Sequence, residues 1–335
     1  MTWLTWRQFR AQAVVAAAGL AVLAIVLVIT GLQLSHTFDT TVLGCQAHGD
    51  CAAADNALQG QDTALQDLTR LLMYAVPAVI GLFWGAPLLG RELETGTFRL
   101  AWTQGVTRAR WFGVKLVLTG LASMATAGLL SLMVTWWYSP LERVGAARLT
   151  PGEFSLGGIV IIGYAAFAFA LGVTAGLLAR RTLPAMAITL AIFVAVQLAM
   201  PFLIRPHLIA PVRAVSALKV ANVHSESIIG SGGGGTLSLG AAPDIPGSSS
   251  AWIYSAQVTT ASGSTDLGPA PAHCGPNSGY NECQAAIARM HLRVVATYQP
   301  GSRYWAFQWY ETAIYLAAAL VLAGFCWWWV RRRVT

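Results

Sequence analysis

Six long apolar runs constrain this chain more than any other feature. They lie near residues 13–34, 71–89, 113–137, 156–178, 185–204 and 308–330. Each approaches or exceeds the roughly 20 residues that carry a helix across a bilayer. A single such run could be the core helix of a soluble domain. Six of them, in a chain that is 56% hydrophobic and only 10% charged, exclude a soluble fold, where about 25% of residues are charged. The first run is too long for the 7–15-residue core of a signal peptide. "GLQLSHTF" also lacks a small-residue cleavage pattern, so the run reads as a retained span. The expected fold is an all-α polytopic membrane protein with six transmembrane helices.

Charge placement orients it. With the N-terminus cytoplasmic and sides alternating, the inner segments hold Arg7, Arg10, Arg91, Arg99, Arg108, Arg110, Lys115, Arg180, Arg181, Arg331, Arg332 and Arg333, against only Glu92 and Glu94. This is the positive-inside bias. It places both termini in the cytoplasm and accounts for the net charge of +7 without a nucleic-acid partner. The first outer loop, 35–70, holds five aspartates and one arginine. Aromatic clusters mark the interfaces: Trp136, Trp137 and Tyr138; Trp305, Trp309 and Tyr310; Trp327, Trp328 and Trp329. "MTWLTWRQFR" reads as a short amphipathic helix lying in the inner interface before the first span.

The domain organisation follows. Residues 1–204 carry the interfacial helix, spans 1–5 and a cytoplasmic loop at 90–112. Residues 205–305 form a small exoplasmic domain, and 306–335 hold span 6 and a basic tail. Within the outer domain, "GSGGGGTLSLGAAPDIPGSSS" reads as a linker, "AWIYSAQVTT" as a strand and "NECQAAIARMHLRVV" as a helix. Cys45 with Cys51, and Cys274 with Cys283, fall in outer segments, which suggests two local disulfides. A metal site using His48 or His273 is the rival reading, against which spacings of six and nine residues count.

No Walker A motif, nucleophile elbow or metalloprotease helix is present, and the histidines are scattered over outer segments. The chain does not read as an enzyme or as the binder of a cofactor. Whatever energy it uses comes from another polypeptide. Small residues such as Gly157, Gly172 and Gly176 fit close helix packing. Polar groups in the spans are few: Gln197 in the fifth, and Glu311 near the outer end of the sixth, where it either faces water or lines a path.

The stretch "GRELETGTFRLAWTQGVTRARW", 90–111, stands apart. Topology explains its arginines but not Glu92, Glu94, Gly96, Thr97, Phe98 or Trp102. Thr95 or Thr97 could cap a short helix that Gly105 ends, with Phe98, Leu100 and Trp102 exposed to a partner's groove. This stretch resembles the loop between spans two and three of type-2 ABC exporter permeases, the membrane subunits of ATP-binding-cassette transporters. Glu92, Gly96, Thr97, Arg108, Gly113 and Lys115 occupy the matching positions of an E-x-x-x-G-T segment and the basic and Gly-Lys positions after it. Gly105 stands where many members have proline. "YQPGSRYWAFQWYET" resembles the approach to the last span in actinobacterial-type members.

The resemblance implies a bacterial plasma-membrane exporter of a hydrophobic or amphipathic compound such as a drug, antibiotic or lipid-like molecule. A separate ABC ATPase dimer would carry the ATP and magnesium. A second permease protomer, in a homodimer, would complete twelve spans within the membrane lipid. Phe98, Leu100 and Trp102 would then dock in the ATPase, with Glu92 and Glu94 orienting the loop and Arg108 following it. The substrate path would run between spans two and five, with Phe83, Trp84, Phe193, Gln197 and Glu311 as candidates. The alternative is a non-transporting sensor or scaffold whose exoplasmic domain binds a ligand.

Overall fold

The computed structural model describes residues 2–46, 51–96, 107–144, 148–229, 236–245, 250–269, 271, 274 and 280–332. The chain divides into two compact units. One comprises Met1–Ala146, Pro151–Leu208 and Trp305–Thr335; the other comprises Ala147–Thr150 and Ile209–Tyr304.

Among the described residues, six helical segments are long and apolar enough to cross a membrane: Phe9–Cys45 (span 1), Thr63–Thr95 (span 2), Arg110–Arg143 (span 3), Val160–Ala179 (span 4), Thr182–Leu208 (span 5) and Gly301–Arg332 (span 6). Most outrun the apolar stretches by several residues, because hydropathy marks where a helix is greasy and not where its hydrogen-bond ladder stops. The expected interfacial helix is not separate. Thr2–Thr37 is one uninterrupted helix, since "RAQAVVAAAG" contains good helix formers and no breaker before Gly19. Phe9 is buried against Trp84, with ring centroids 4.7 Å apart.

Span 4 is the axis of this unit. It is apolar on every face, and every residue from Gly163 to Leu177 is buried, as expected of a helix surrounded by others. Span 2 lies closest to it. A Cβ on Gly172 would sit 2.2 Å from the Gly81 carbonyl oxygen, and one on Gly176 would sit 2.4 Å from that of Ala86. Backbones this close require glycine, which confirms the packing role expected for Gly172 and Gly176. Beside this contact span 2 widens to π geometry at Gly81–Gly85. Pro87 has no N–H to offer the Phe83 carbonyl four residues back. Gln12 Nε2 from span 1 donates to that oxygen instead, at 3.0 Å. Span 1 also packs on span 3, where Trp137 Nε1 donates to Thr30 Oγ1 at 3.0 Å.

The second unit corrects the all-α expectation, because its described residues include five strands. Val212–Ala217 (β1), Arg293–Gln299 (β5) and Trp252–Thr259 (β4) form an antiparallel sheet in the order β1-β5-β4. Val295 of β5 pairs with Val215 on one side and Gln257 on the other. Val223–Ile229 (β2) and Thr236–Ala241 (β3) form a separate hairpin pair. Part of the stretch read as a linker, Thr236–Ala241, is therefore strand: Leu237 and Leu239 alternate inward and are buried. Its glycine run, 230–235, lies outside the described residues. The strand expected at 251–260 is present as β4; the helix expected at 281–295 ends at Arg289, and Arg293–Val295 at its far end belong to β5. Cys274 is bonded to Cys283, and in the first unit Cys45 is bonded to Cys51.

Candidate functional site

The helix Ala86–Thr95, at the end of span 2, stops at Gly96, whose φ of +69° is the left-handed conformation that glycine adopts without strain. Two carboxylates precede this stop, and each has a partner on another span. Glu92 Oε1 accepts from Lys115 Nζ of span 3. The Lys115 side chain is 4% exposed and that of Glu92 17%, and the ammonium lies 5.0 Å from the centre of the Trp111 ring. Glu94 Oε2 accepts from both the backbone N–H and the hydroxyl of Thr182, at 3.1 and 2.9 Å. Thr182 opens span 5, so Glu94 satisfies one of the amides left unpaired where that helix begins. Span 3 starts on its own cap, with Thr107 Oγ1 accepting from Arg110 N at 3.3 Å.

The loop between spans 2 and 3 therefore leaves from a base tied to spans 3 and 5. Thr97, Phe98, Leu100, Trp102 and Gly105 lie outside the described residues. Arg108 is in the first turn of the span 3 helix.

A second polar cluster occupies the opposite ends of the spans. Glu311, expected to face water or line a path, is fully buried and receives Arg205 side-on: Nε reaches Oε2 at 2.9 Å and Nη2 reaches Oε1 at 3.2 Å. Tyr164 of span 4 donates to Oε1 at 2.6 Å. The Arg205 guanidinium lies 3.8 Å from the centre of the Phe154 ring. Tyr315 packs edge-on to Tyr164 and donates to Gln197 Oε1 at 2.5 Å. One turn before Glu311, Gln308 Oε1 accepts from the N–H groups of Ile159 and Val160 at 3.0 and 2.9 Å. Its Nε2 donates to the carbonyls of Phe154 and Gly157 at 2.9 and 3.1 Å. One amide thus caps the start of the central helix and holds the loop that leads into it.

The candidate path residues separate. Phe83 and Trp84 line a cavity between spans 1, 2 and 3, whereas Phe193 is buried in span 5 and Gln197 and Glu311 belong to the second cluster. Sequence reasoning missed Arg205, counted only as an outer basic residue, and Gln308. A signal for the first was present: Arg205 directly follows the fifth apolar run and Glu311 lies just inside the sixth, so opposite charges sit at matching depth.

Residues 17–205, more than half of the 335-residue chain, match the family described as ABC-2 membrane transporter related. The chain belongs to that family. It is a multi-pass ABC-2 type permease, a membrane subunit and not the ATPase of its transporter. The match runs from residue 17, within span 1, to Arg205 in span 5, so it includes the tied base of the loop. Comparison with curated proteins and with solved structures returned no match.

Proposed function

We propose that this permease is the membrane half of an exporter of hydrophobic or amphipathic compounds, driven by a separate ABC ATPase that binds its ATP and magnesium. The loop 90–112 faces the cytoplasm with both termini, and the unit Ile209–Tyr304 is exoplasmic. Two copies of the chain pair in a bacterial plasma membrane. Phe98, Leu100 and Trp102 enter the ATPase, while Arg108 leads the chain back into span 3.

The observation that carries this reading is the double tie at the loop base, in a chain of this family. A push on the loop reaches span 3 through Glu92 and Lys115, and span 5 through Glu94 and Thr182. Span 2, which bears both carboxylates, lies against the central span 4. Closure of an ATPase dimer on two such loops moves spans 2, 3 and 5 together and opens a path outward.

The test is affinity purification of the tagged full-length chain from its native membrane, with bound ATPase polypeptide and ATP hydrolysis measured. Phe98→Ala is expected to lose most of both, and a control substitution in the Ile209–Tyr304 unit to retain both. Full retention of assembly and of ATP-linked transport in Phe98→Ala and Glu92→Ala chains contradicts the proposal.

A further inference from the structure

Two cavities of the first unit adjoin at the loop end of spans 1, 2 and 3. One, of about 580 Å³, is walled by apolar side chains, among them Leu20, Leu23, Val76 and Phe83. The other, of about 450 Å³, is lined by Arg91, Glu92, Lys115, Thr95 and Thr119. Gln12 and Trp84 line both. Each volume lies within the ~300–1,000 Å³ of small-molecule sites. Together they offer an apolar trough ending in a charged chamber.

The charge of that chamber selects the ligand. Glu92 is taken up by Lys115, which keeps two of its three donors beyond that bond. Arg91 is exposed at the chamber wall, with no ion-pair partner among the described residues. Two cations against one carboxylate favour an anionic head, and a guanidinium receives carboxylate or phosphate oxygens two at a time. The trough suits a flexible hydrocarbon tail. The site is also open to filling: a Cβ on Gly19, which lines the trough, meets nothing within 4 Å.

We propose that these joined cavities are a cargo site within one protomer, and that the cargo is a single-chain amphiphile with an anionic head, bound with its head at Arg91 and Lys115 and its tail along Leu20 and Phe83. This deepens the exporter reading and rests on it. The head lies at the loop end, beside the carboxylates through which the ATPase would act. Movement of Glu92 with the loop would then alter the chamber that holds the head.

The experiment is photolabelling of the full chain with its co-purified ATPase in nanodiscs, using a diazirine-bearing palmitate, the matching alcohol and the matching trimethylammonium compound. Labelled peptides are expected to cover 15–23 and 72–84. Arg91→Gln should reduce carboxylate labelling about tenfold, one charge-assisted contact, and leave the alcohol unchanged. Gly19→Trp should abolish both, and ATP hydrolysis should deplete the bound carboxylate. Preference for the cationic probe, labelling spread evenly over spans 5 and 6, or labelling indifferent to ATP, as for a resident lipid, each overturns the proposal. ATPase co-purification with the Gly19→Trp chain, measured on the same samples, separates this site from the exporter reading: retained assembly with lost labelling condemns neither, whereas retained assembly with unaltered labelling removes the site alone.

Discussion

Among the described residues, each end of the helical unit contains one ion pair between spans, and the pairs differ in what surrounds them. Arg205 and Glu311 are 1% and 0% exposed, and the carboxylate receives a bidentate guanidinium and a tyrosine hydroxyl. Lys115 and Glu92 border a cavity, with Glu92 17% exposed. Burial of a charge is costly unless it is paired and hydrogen-bonded, so the first arrangement holds only in one geometry. The second retains access to solvent and to whatever enters the cavity, and can be made and broken. One pair is enclosed by its partners; the other borders open space.

The largest expected effect comes from breaking the first pair. Glu311→Ala leaves a guanidinium buried without its counter-ion and should cost about 3–5 kcal/mol, read as loss of folded protein in detergent. An Arg205→Met, Glu311→Leu double variant should recover most of it, because removing both charges avoids the stranded one. Next comes Gln308→Leu, which strands the first N–H groups of span 4. A loss of about 1–3 kcal/mol, as a lowered melting temperature with ATPase assembly retained, is expected. Glu92→Ala should destabilise by less than half as much as Glu311→Ala, since the cavity lets water reach Lys115. If the two variants melt alike, the contrast between the ends fails. Glu94→Ala is the smallest in stability: its partner is the start of an exposed helix, and no shift in melting is expected. Its effect should appear only as ATP hydrolysis uncoupled from transport, and equal coupling in wild type and variant removes Glu94 from the path.

The spans were legible because apolar length is a local property that survives without tertiary contacts. The continuity of the first helix through residues 2–37 was not, because an aromatic and basic composition describes what a surface touches and not whether a helix breaks beneath it. In the second unit, glycine and serine masked the alternation of Leu237 and Leu239, and the strand Thr236–Ala241 is held by pairing to β2 more than by its own propensity. At the loop, Glu92 and Glu94 stood out as residues that topology does not require. Lys115 stood out as part of the same motif, but its pairing with Glu92 did not, nor did Thr182, because these partners are 23 and 88 positions away and only folding brings them within reach. The same holds for Gln308, whose four bonds span about 150 positions of chain.

The most direct measurement is hydrogen exchange of the permease–ATPase complex, compared without nucleotide and with ATP trapped by vanadate. Changed protection at residues 90–96 and 182–186, with unchanged slow exchange at 159–164 and 308–315, is the predicted result. Protection that changes at the Arg205 and Glu311 end while the base of the loop stays constant would contradict the account.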